Sequence, residues 1–305
     1  MENNINKIRE SFGARLLTDV SLSQYCQFGT GGKAKFLIRV DKIEDLILVV
    51  LLAQNNNIPY RVIGFGGALL FSDGGYDGLV IVNRANRMIH VAQSNKIICD
   101  SGTTIAELIN FAAEKGLGGI EKLYQNYGTI GGTIYNNGCS NNIQIGDYIE
   151  SATLLTDKGK IVSKRPDWFE FGPRKTRLMQ YNKNRPWVIL TAMFQMQSRR
   201  NEEICNDICR IQLTNKSNKA TGYLFDVFAD NDTRNNIDKV LEMSKPRDII
   251  IGGAELDRNI LNCIRKRKNA TSADARKLIE SLLETINDNR KADIKETIEY
   301  FGSWH

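Results

Sequence analysis

The chain has 305 residues, 42% of them apolar and 25% charged, with a net charge of +6. This is the composition of an ordinary globular protein, long enough for two or three lobes with cores of their own. It excludes a fibrous, disordered or membrane-spanning class, because the longest apolar run, Leu46 to Ala53, falls far short of the ~20 residues that cross a bilayer.

The N-terminus, Met1-Glu2-Asn3-Asn4, lacks the basic-then-apolar order of a secretory signal, so a cytoplasmic protein is expected. Ile43 to Asn55 carries apolar residues on every side and then reaches Asn-Asn-Asn-Ile-Pro. That pattern predicts a buried helix ending before a strand, Tyr60 to Ile63. The run Gly64-Phe65-Gly66-Gly67-Ala68-Leu69-Leu70 follows, with Gly74, Gly75 and Gly78 behind it. Thr104 to Gly116 predicts a helix capped by Thr103 or Thr104 and closed by a left-handed Gly116. It leads into a second run, Gly128-Thr129-Ile130-Gly131-Gly132, with Asn137-Gly138 just beyond.

Tyr148 to Leu155 and Gly159 to Val162 read as strands around an Asp-Lys-Gly turn. Trp187 to Phe194 is apolar on both faces and reads as a central strand. A composition shift at Ser198 to Glu203 suggests a domain boundary. Farther on, Thr271-x-x-Asp274 resembles a capping box before an apolar stripe of helical period, Leu278, Ile279, Leu282, Leu283 and Ile286. The expected architecture is α+β, in lobes 1–85, 86–198 and 199–305.

Glycine contributes no side chain and is costly to order, so the two runs do not read as ordinary strand or helix. They serve either as plain structural turns or as places where backbone N–H groups form a nest for phosphate oxygens. Two such loops about sixty residues apart suggest one extended phosphate-bearing ligand. Other chemistries are poorly supplied. Cys26, Cys99, Cys139, Cys205, Cys209 and Cys263 contain no C-x-x-C pair and are read as free thiols. Cys205 and Cys209 can share a helix face, but no histidine accompanies them, and no metal site is expected. His90 and His305 are the only histidines. Arg265-Lys266-Arg267-Lys268 reads as a solvated loop or as an attractor for an anionic ligand. The broad basic face with interleaved aromatics that nucleic acid requires is lacking.

The two runs, in this order and spacing, resemble the MurB family, the flavin-dependent UDP-N-acetylenolpyruvoylglucosamine reductases. Further matching segments are Phe28-Gly29-Thr30-Gly31-Gly32-Lys33-Ala34, Ile58 to Gly66, Gly78 to Ile81, Gly116 to Glu121, Ile251-Gly252-Gly253-Ala254 and Asn269 to Asp274. The resemblance implies an FAD-binding domain of two subdomains, of the vanillyl-alcohol oxidase (PCMH) type, at 1–85 and 86–198. A C-terminal α+β substrate domain at 199–305 completes it. It also implies FAD as cofactor, NADPH as hydride donor and a nucleotide sugar as substrate in peptidoglycan precursor synthesis. A monomer without membrane partners is expected. The cofactor-binding positions carried over are Gly64, Gly66, Gly67, Ala68, Leu69, Gly128, Thr129, Gly131, Gly132 and Asn137. The family's G-x-G-S-N is here Gly64-Phe65-Gly66-Gly67-Ala68, which loses a hydroxyl and an amide.

In the family, hydride addition to an enolpyruvyl ether is completed by a serine or cysteine proton donor, and an arginine and a glutamate stabilise the developing charge. Arg174, in Phe171-Gly172-Pro173-Arg174, matches the arginine. Tyr223, in Gly222-Tyr223-Leu224-Phe225, stands at the serine position, either as a substitute acid or as a plug. Asp226, Val227 and Phe228 replace a lysine, an asparagine and a proline, while Asn262 is retained. Thr297 aligns with the closing glutamate, and a register shift would put Glu296 in that role, with Glu299 close by. Two other readings remain open: a MurB-like flavoprotein for a different small molecule, and a non-catalytic binding module.

Overall fold

The computed structural model describes residues 2–140, 143–181, 183–214, 221–230, 249–257, 260, 262–290 and 294–304. The fold is α+β and divides into two compact units. The first comprises Met1–Thr18, Phe36–Gly64 and Gly78–Asn218, and the second Asp19–Lys35, Phe65–Asp77 and Lys219–His305.

The first unit holds two hydrophobic cores. One gathers Ile5, Ile8 and Phe12, the buried side of the helix Ile43–Asn55, and Tyr60, Leu79 and Ile81. Its sheet runs in the order Leu16–Ser21, Lys33–Val40, Tyr76–Asn83, Tyr60–Ile63, with Tyr60–Ile63 parallel to its neighbour. The helix and the strand Tyr60–Ile63 have the limits expected from sequence. The second core lies on an antiparallel sheet in the order Ile161–Lys164, Ile149–Leu155, Val188–Gln195, Lys96–Asp100, Met88–His90. Val188–Gln195 is central, as its two apolar faces require. Val188 and Leu190 enter the first core, and Ile189, Ala192 and Phe194 enter the second.

The helix Ile105–Glu114 begins at Thr104, whose side chain and that of Glu107 form a reciprocal capping box. Gly116 closes it at φ +67°. The helix Asn201–Thr214 buries Ile204 and Ile208 in the second core, so the compact first unit continues past Ser198 to Asn218. Apolar contact outweighs the polar composition of 198–203 in deciding where that helix belongs.

The second unit carries an antiparallel sheet in the order Tyr223–Phe225, Cys263–Lys266, Ala254–Leu256, Ile250–Ile251. Beside it, Phe228–Asp230 pairs with Ile294–Glu296, and Leu69–Phe71 pairs in parallel with Glu299–Phe301. The helix Ser272–Arg290 starts in the expected box: Asp274 accepts from Thr271 N–H at 3.0 Å and its own N–H donates to the Thr271 hydroxyl at 3.1 Å. The Asp73 carboxylate accepts from the N–H groups of Ser272 and Ala273, both at 2.9 Å, which suits the positive end of a helix. Leu278, Ile279, Leu282 and Ile286 are fully buried. No helix among the described residues is long and apolar enough to cross a membrane.

Candidate active site

In the first unit the second glycine loop is not an open nest. Ile130–Tyr135 is a short helix containing Gly131 and Gly132, capped by the Thr129 hydroxyl. This corrects the expectation that so glycine-rich a run cannot be helical: the propensity cost of about 1 kcal/mol per glycine is small beside fixed tertiary contacts. Ile130 N–H donates to the Thr103 carbonyl at 2.7 Å and Gly131 N–H to the Ser101 carbonyl at 2.8 Å. These two N–H groups are therefore already used and are not available to a phosphate. A Cβ on Gly131 would lie 3.2 Å from both Ser101 Cβ and its carbonyl oxygen, so its smallness serves this packing. Thr129 also joins the loops, because a Cβ on Gly64 would lie 2.4 Å from Thr129 Oγ1.

Asn137 adopts φ +46° and is fully buried. Its Nδ2 donates to Gln144 Oε1 at 3.0 Å and to the Gly172 carbonyl at 2.8 Å, and its Oδ1 accepts from Gly146 N–H at 3.3 Å. The amide thus works inside the protein, tying the glycine loop to the segment that bears Arg174. Gly172 and Lys175 exchange backbone hydrogen bonds at 3.0 and 3.1 Å, which puts Pro173 and Arg174 at a hairpin tip. The buried Thr176 hydroxyl donates to the Tyr135 carbonyl at 2.6 Å, securing the hairpin from its other side. Arg174 sits at φ +47°, a conformation costing a non-glycine residue on the order of 1 kcal/mol or more. Its guanidinium reaches the Cys139 carbonyl at 3.4 Å.

In the second unit a closed circuit of backbone contacts joins the other candidates. Gln27 N–H donates to the Gly66 carbonyl at 3.1 Å, and Gly222 N–H donates to the Gln27 carbonyl at 2.8 Å. Thr297 N–H donates to the Val227 carbonyl at 2.8 Å and Glu299 N–H to the Ala68 carbonyl at 2.9 Å. Gly66 has to be glycine: φ is +69° and a Cβ would lie 2.0 Å from the Tyr25 carbonyl oxygen. Gly67 and Ala68 form the turn, and Leu69 begins the strand beside Glu299.

Tyr223 is half-buried and stacks on Phe225, with ring centroids 5.6 Å apart. It stands directly across from Arg265, which hydrogen-bonds it. Arg265 Nε donates to Glu255 at 2.7 Å, and Asp257 lies 3.8 Å away. The basic run is therefore not simply a loop. Arg265 and Lys266 belong to a strand, Lys266 Nζ donates to the Gly29 carbonyl at 2.7 Å, and Arg267 lies 3.7 Å from Glu255. Buried carboxylates and a carbonyl draw in charge that the sequence leaves on the surface. Glu296 accepts from the Tyr300 hydroxyl at 2.6 Å, and burial pushes its carboxyl above the ordinary glutamate range. The Thr297 hydroxyl donates to the Asp226 carbonyl, so this side chain anchors the bend after Phe225. Asn262, buried, bonds both backbone groups of Phe228, at 2.7 and 2.8 Å.

Buried polar atoms in folded proteins almost always find partners. Here Thr103 Oγ1, Asn136 Oδ1 and Gln27 Nε2 are buried without one. The first two flank the helix Ile130–Tyr135, and the third lies on the residue that holds Gly66. The Trp304 indole N–H is another, beside Tyr300 and Arg276. Taken unit by unit, the Thr103 hydroxyl and the Asn136 acceptor of the first, and the Gln27 amide of the second, are each of the kind that a dinucleotide satisfies, whose pyrophosphate accepts and whose ribose hydroxyls donate. The residues present therefore fit FAD. Sequence reading did not single out Gln27, Ser101 or Asn136, and took Thr103 only as a helix cap; the signal available was that each lies within two residues of a glycine.

A family model described as an FAD binding domain matches residues 34–164. The chain is 25% identical over 310 residues to a UDP-N-acetylenolpyruvoylglucosamine reductase of Clostridium novyi, covering 98% of this chain and 96% of that protein. It is 27% identical over 317 residues to UDP-N-acetylenolpyruvoylglucosamine reductase 1 of Bacillus cereus, covering 99% and 100%. The crystal structure of UDP-N-acetylenolpyruvylglucosamine reductase (MurB) from Thermus caldophilus superposes with a TM-score of 0.71 at 20% identity, covering 93% of this chain and 98% of that one. With a matching FAD-binding domain, similarity along nearly its full length to these reductases and a shared fold, the chain is an FAD-dependent oxidoreductase that is a divergent relative of the MurB reductases.

Proposed function

We propose that the chain is an NADPH-linked reductase of the UDP-N-acetylglucosamine enolpyruvate type, serving peptidoglycan precursor synthesis in the cytoplasm as a monomer, with Tyr223 in place of the family's proton donor. The observation that carries the reading is the Asn137 amide, which binds the second glycine loop to the Arg174 hairpin. In the first unit Gly64, Gly128, Thr129, Gly131, Gly132 and Asn137 shape the cofactor wall, with the Thr103 hydroxyl as a side-chain donor. In the second, Gly66, Gly67, Ala68 and Leu69 carry the remaining cofactor positions that the family resemblance implies. Bound FAD supplies the hydride that NADPH delivers. Arg174 offers a guanidinium on a rigid tip to the negative charge that develops on the substrate carboxylate. The Tyr223 hydroxyl gives a proton to the carbon beside that carboxylate. Glu296, held by Tyr300, is the carboxyl group of the closing segment.

The test is anaerobic reduction of the purified holoprotein by NADPH, followed by reoxidation with UDP-N-acetylglucosamine enolpyruvate. Tyr223→Phe is expected to leave flavin reduction intact and to abolish product formation and solvent-proton incorporation. A second reading, a flavoprotein for a different small molecule, is favoured by the stacking of Tyr223 on Phe225, which makes the ring a filler of space. In that case Tyr223→Phe behaves like the natural chain, and Tyr223→Ser gains activity on the enolpyruvyl sugar.

A further inference from the structure

Gln27 stands where the first glycine loop and the Tyr223 strand meet. Its N–H serves Gly66 and its carbonyl serves Gly222, at 3.1 and 2.8 Å, so both main-chain groups are occupied. The residue is 7% exposed and its side-chain Nε2 is buried with no hydrogen-bond partner. Leaving such a donor buried and unmatched is costly, whereas an apolar side chain of the same length would avoid the cost. The backbone cannot withdraw to relieve it. Gly66 at φ +69° is pressed against Tyr25, with no room even for a Cβ, and so fixes the neighbouring segment that contains Gln27.

Every main-chain tie of Gln27 leads to a candidate ligand-binding segment, and the amide is the one group on it left to act. Three side-chain torsions let that amide turn without moving its anchored backbone. We propose that the Gln27 side-chain amide is a contact for bound FAD, donating its N–H to an acceptor atom of the cofactor. The proposal rests on the FAD reading above. It adds a side-chain donor on a loop whose other cofactor-facing residues, Gly66, Gly67, Ala68 and Leu69, have no polar side chain.

The experiment titrates FAD into the flavin-stripped full chain, followed by flavin fluorescence, and records thermal unfolding with and without FAD. Gln27→Met keeps the length and removes the donor. Gln27→Glu keeps the shape and replaces the donor with an acceptor. Loss of one hydrogen bond should weaken FAD binding about tenfold in Gln27→Met. The melting temperature of the flavin-free protein should stay the same or rise, because no internal partner is lost. Gln27→Glu should bind FAD more weakly still, since two acceptors would then face each other. FAD affinity in Gln27→Met equal to that of the natural chain overturns the proposal. A lowered flavin-free melting temperature accompanying that result assigns the amide to internal packing or an ordered water. Unchanged FAD affinity with a raised substrate KM overturns it in favour of a substrate contact. A natural chain that takes up no FAD removes the cofactor reading together with this one, whereas natural FAD binding with an indifferent Gln27→Met removes this one alone.

Discussion

Arg174 occupies a conformation that glycine or asparagine would adopt more cheaply, φ +47° at a hairpin tip. Its flanks carry the positioning: Gly172 is held by Asn137 and Thr176 by the Tyr135 carbonyl. A strained backbone position braced on both sides is consistent with the role proposed for Arg174. Arg174→Ala should slow reoxidation by substrate more than a hundredfold, comparable to the roughly 3–4 kcal/mol of one oxyanion donor. Flavin reduction by NADPH should change far less, and equal losses in stopped-flow traces of both half-reactions would assign Arg174 to structure or nucleotide binding. Glu296 makes a pH prediction. Burial raises its pKa, against the hydrogen bond from Tyr300, so over the window between the ordinary glutamate range and the raised value the folded state binds more protons than the unfolded. The stability it contributes is complete below that window and is lost as pH climbs through it. Glu296→Gln, still able to accept from Tyr300, should melt higher than the natural chain at neutral pH and converge with it in acid. Parallel melting curves across that range would place the effect on another group.

Helices and loops separate what local sequence specifies from what neighbours impose. Thr103 and Thr104 are adjacent and chemically identical, and either suits a helix start. Only Thr104 caps, with its hydroxyl accepting from Glu107 N–H at 3.0 Å, while the Thr103 hydroxyl is buried without a partner. Thr104→Ala should therefore cost about 1 kcal/mol by denaturant titration. Thr103→Val should cost nothing in the flavin-free chain and lower FAD affinity. Equal destabilisation by both would contradict this division. The same contrast explains the second glycine loop. Its sequence argues against helix, but the Thr129 cap and the Ser101 and Thr103 carbonyls provide the bonds that make Ile130–Tyr135 helical. The basic run also changes meaning, because Glu255 in the neighbouring strand and Asp257 just beyond its end meet Arg265.

At the scale of the whole molecule, FAD that binds only the folded chain must stabilise it, by about 2.7 kcal/mol at a hundredfold excess over Kd. A thermal midpoint rising with FAD concentration, and flavin released intact on denaturation, are the expected results. A midpoint indifferent to FAD would count against the cofactor. The sequence by itself determined the elements whose pattern is local: the helix Ile43–Asn55, the strand Tyr60–Ile63, the box at Thr271, and the two-faced strand Val188–Gln195. Apolar period and capping chemistry are written in neighbouring residues, so they need no fold to be read. The ordered glycine motifs carried the family in the same way. Only the tertiary structure decided that Asn137 holds Gly172, that Gly64 yields its Cβ space to Thr129, and that Glu299 meets Ala68 and Gln27 meets Gly66. It alone decided which polar atoms remain buried without partners. These facts depend on contacts between residues far apart in the chain, and which donor ends up facing which acceptor is set by packing that no local pattern encodes.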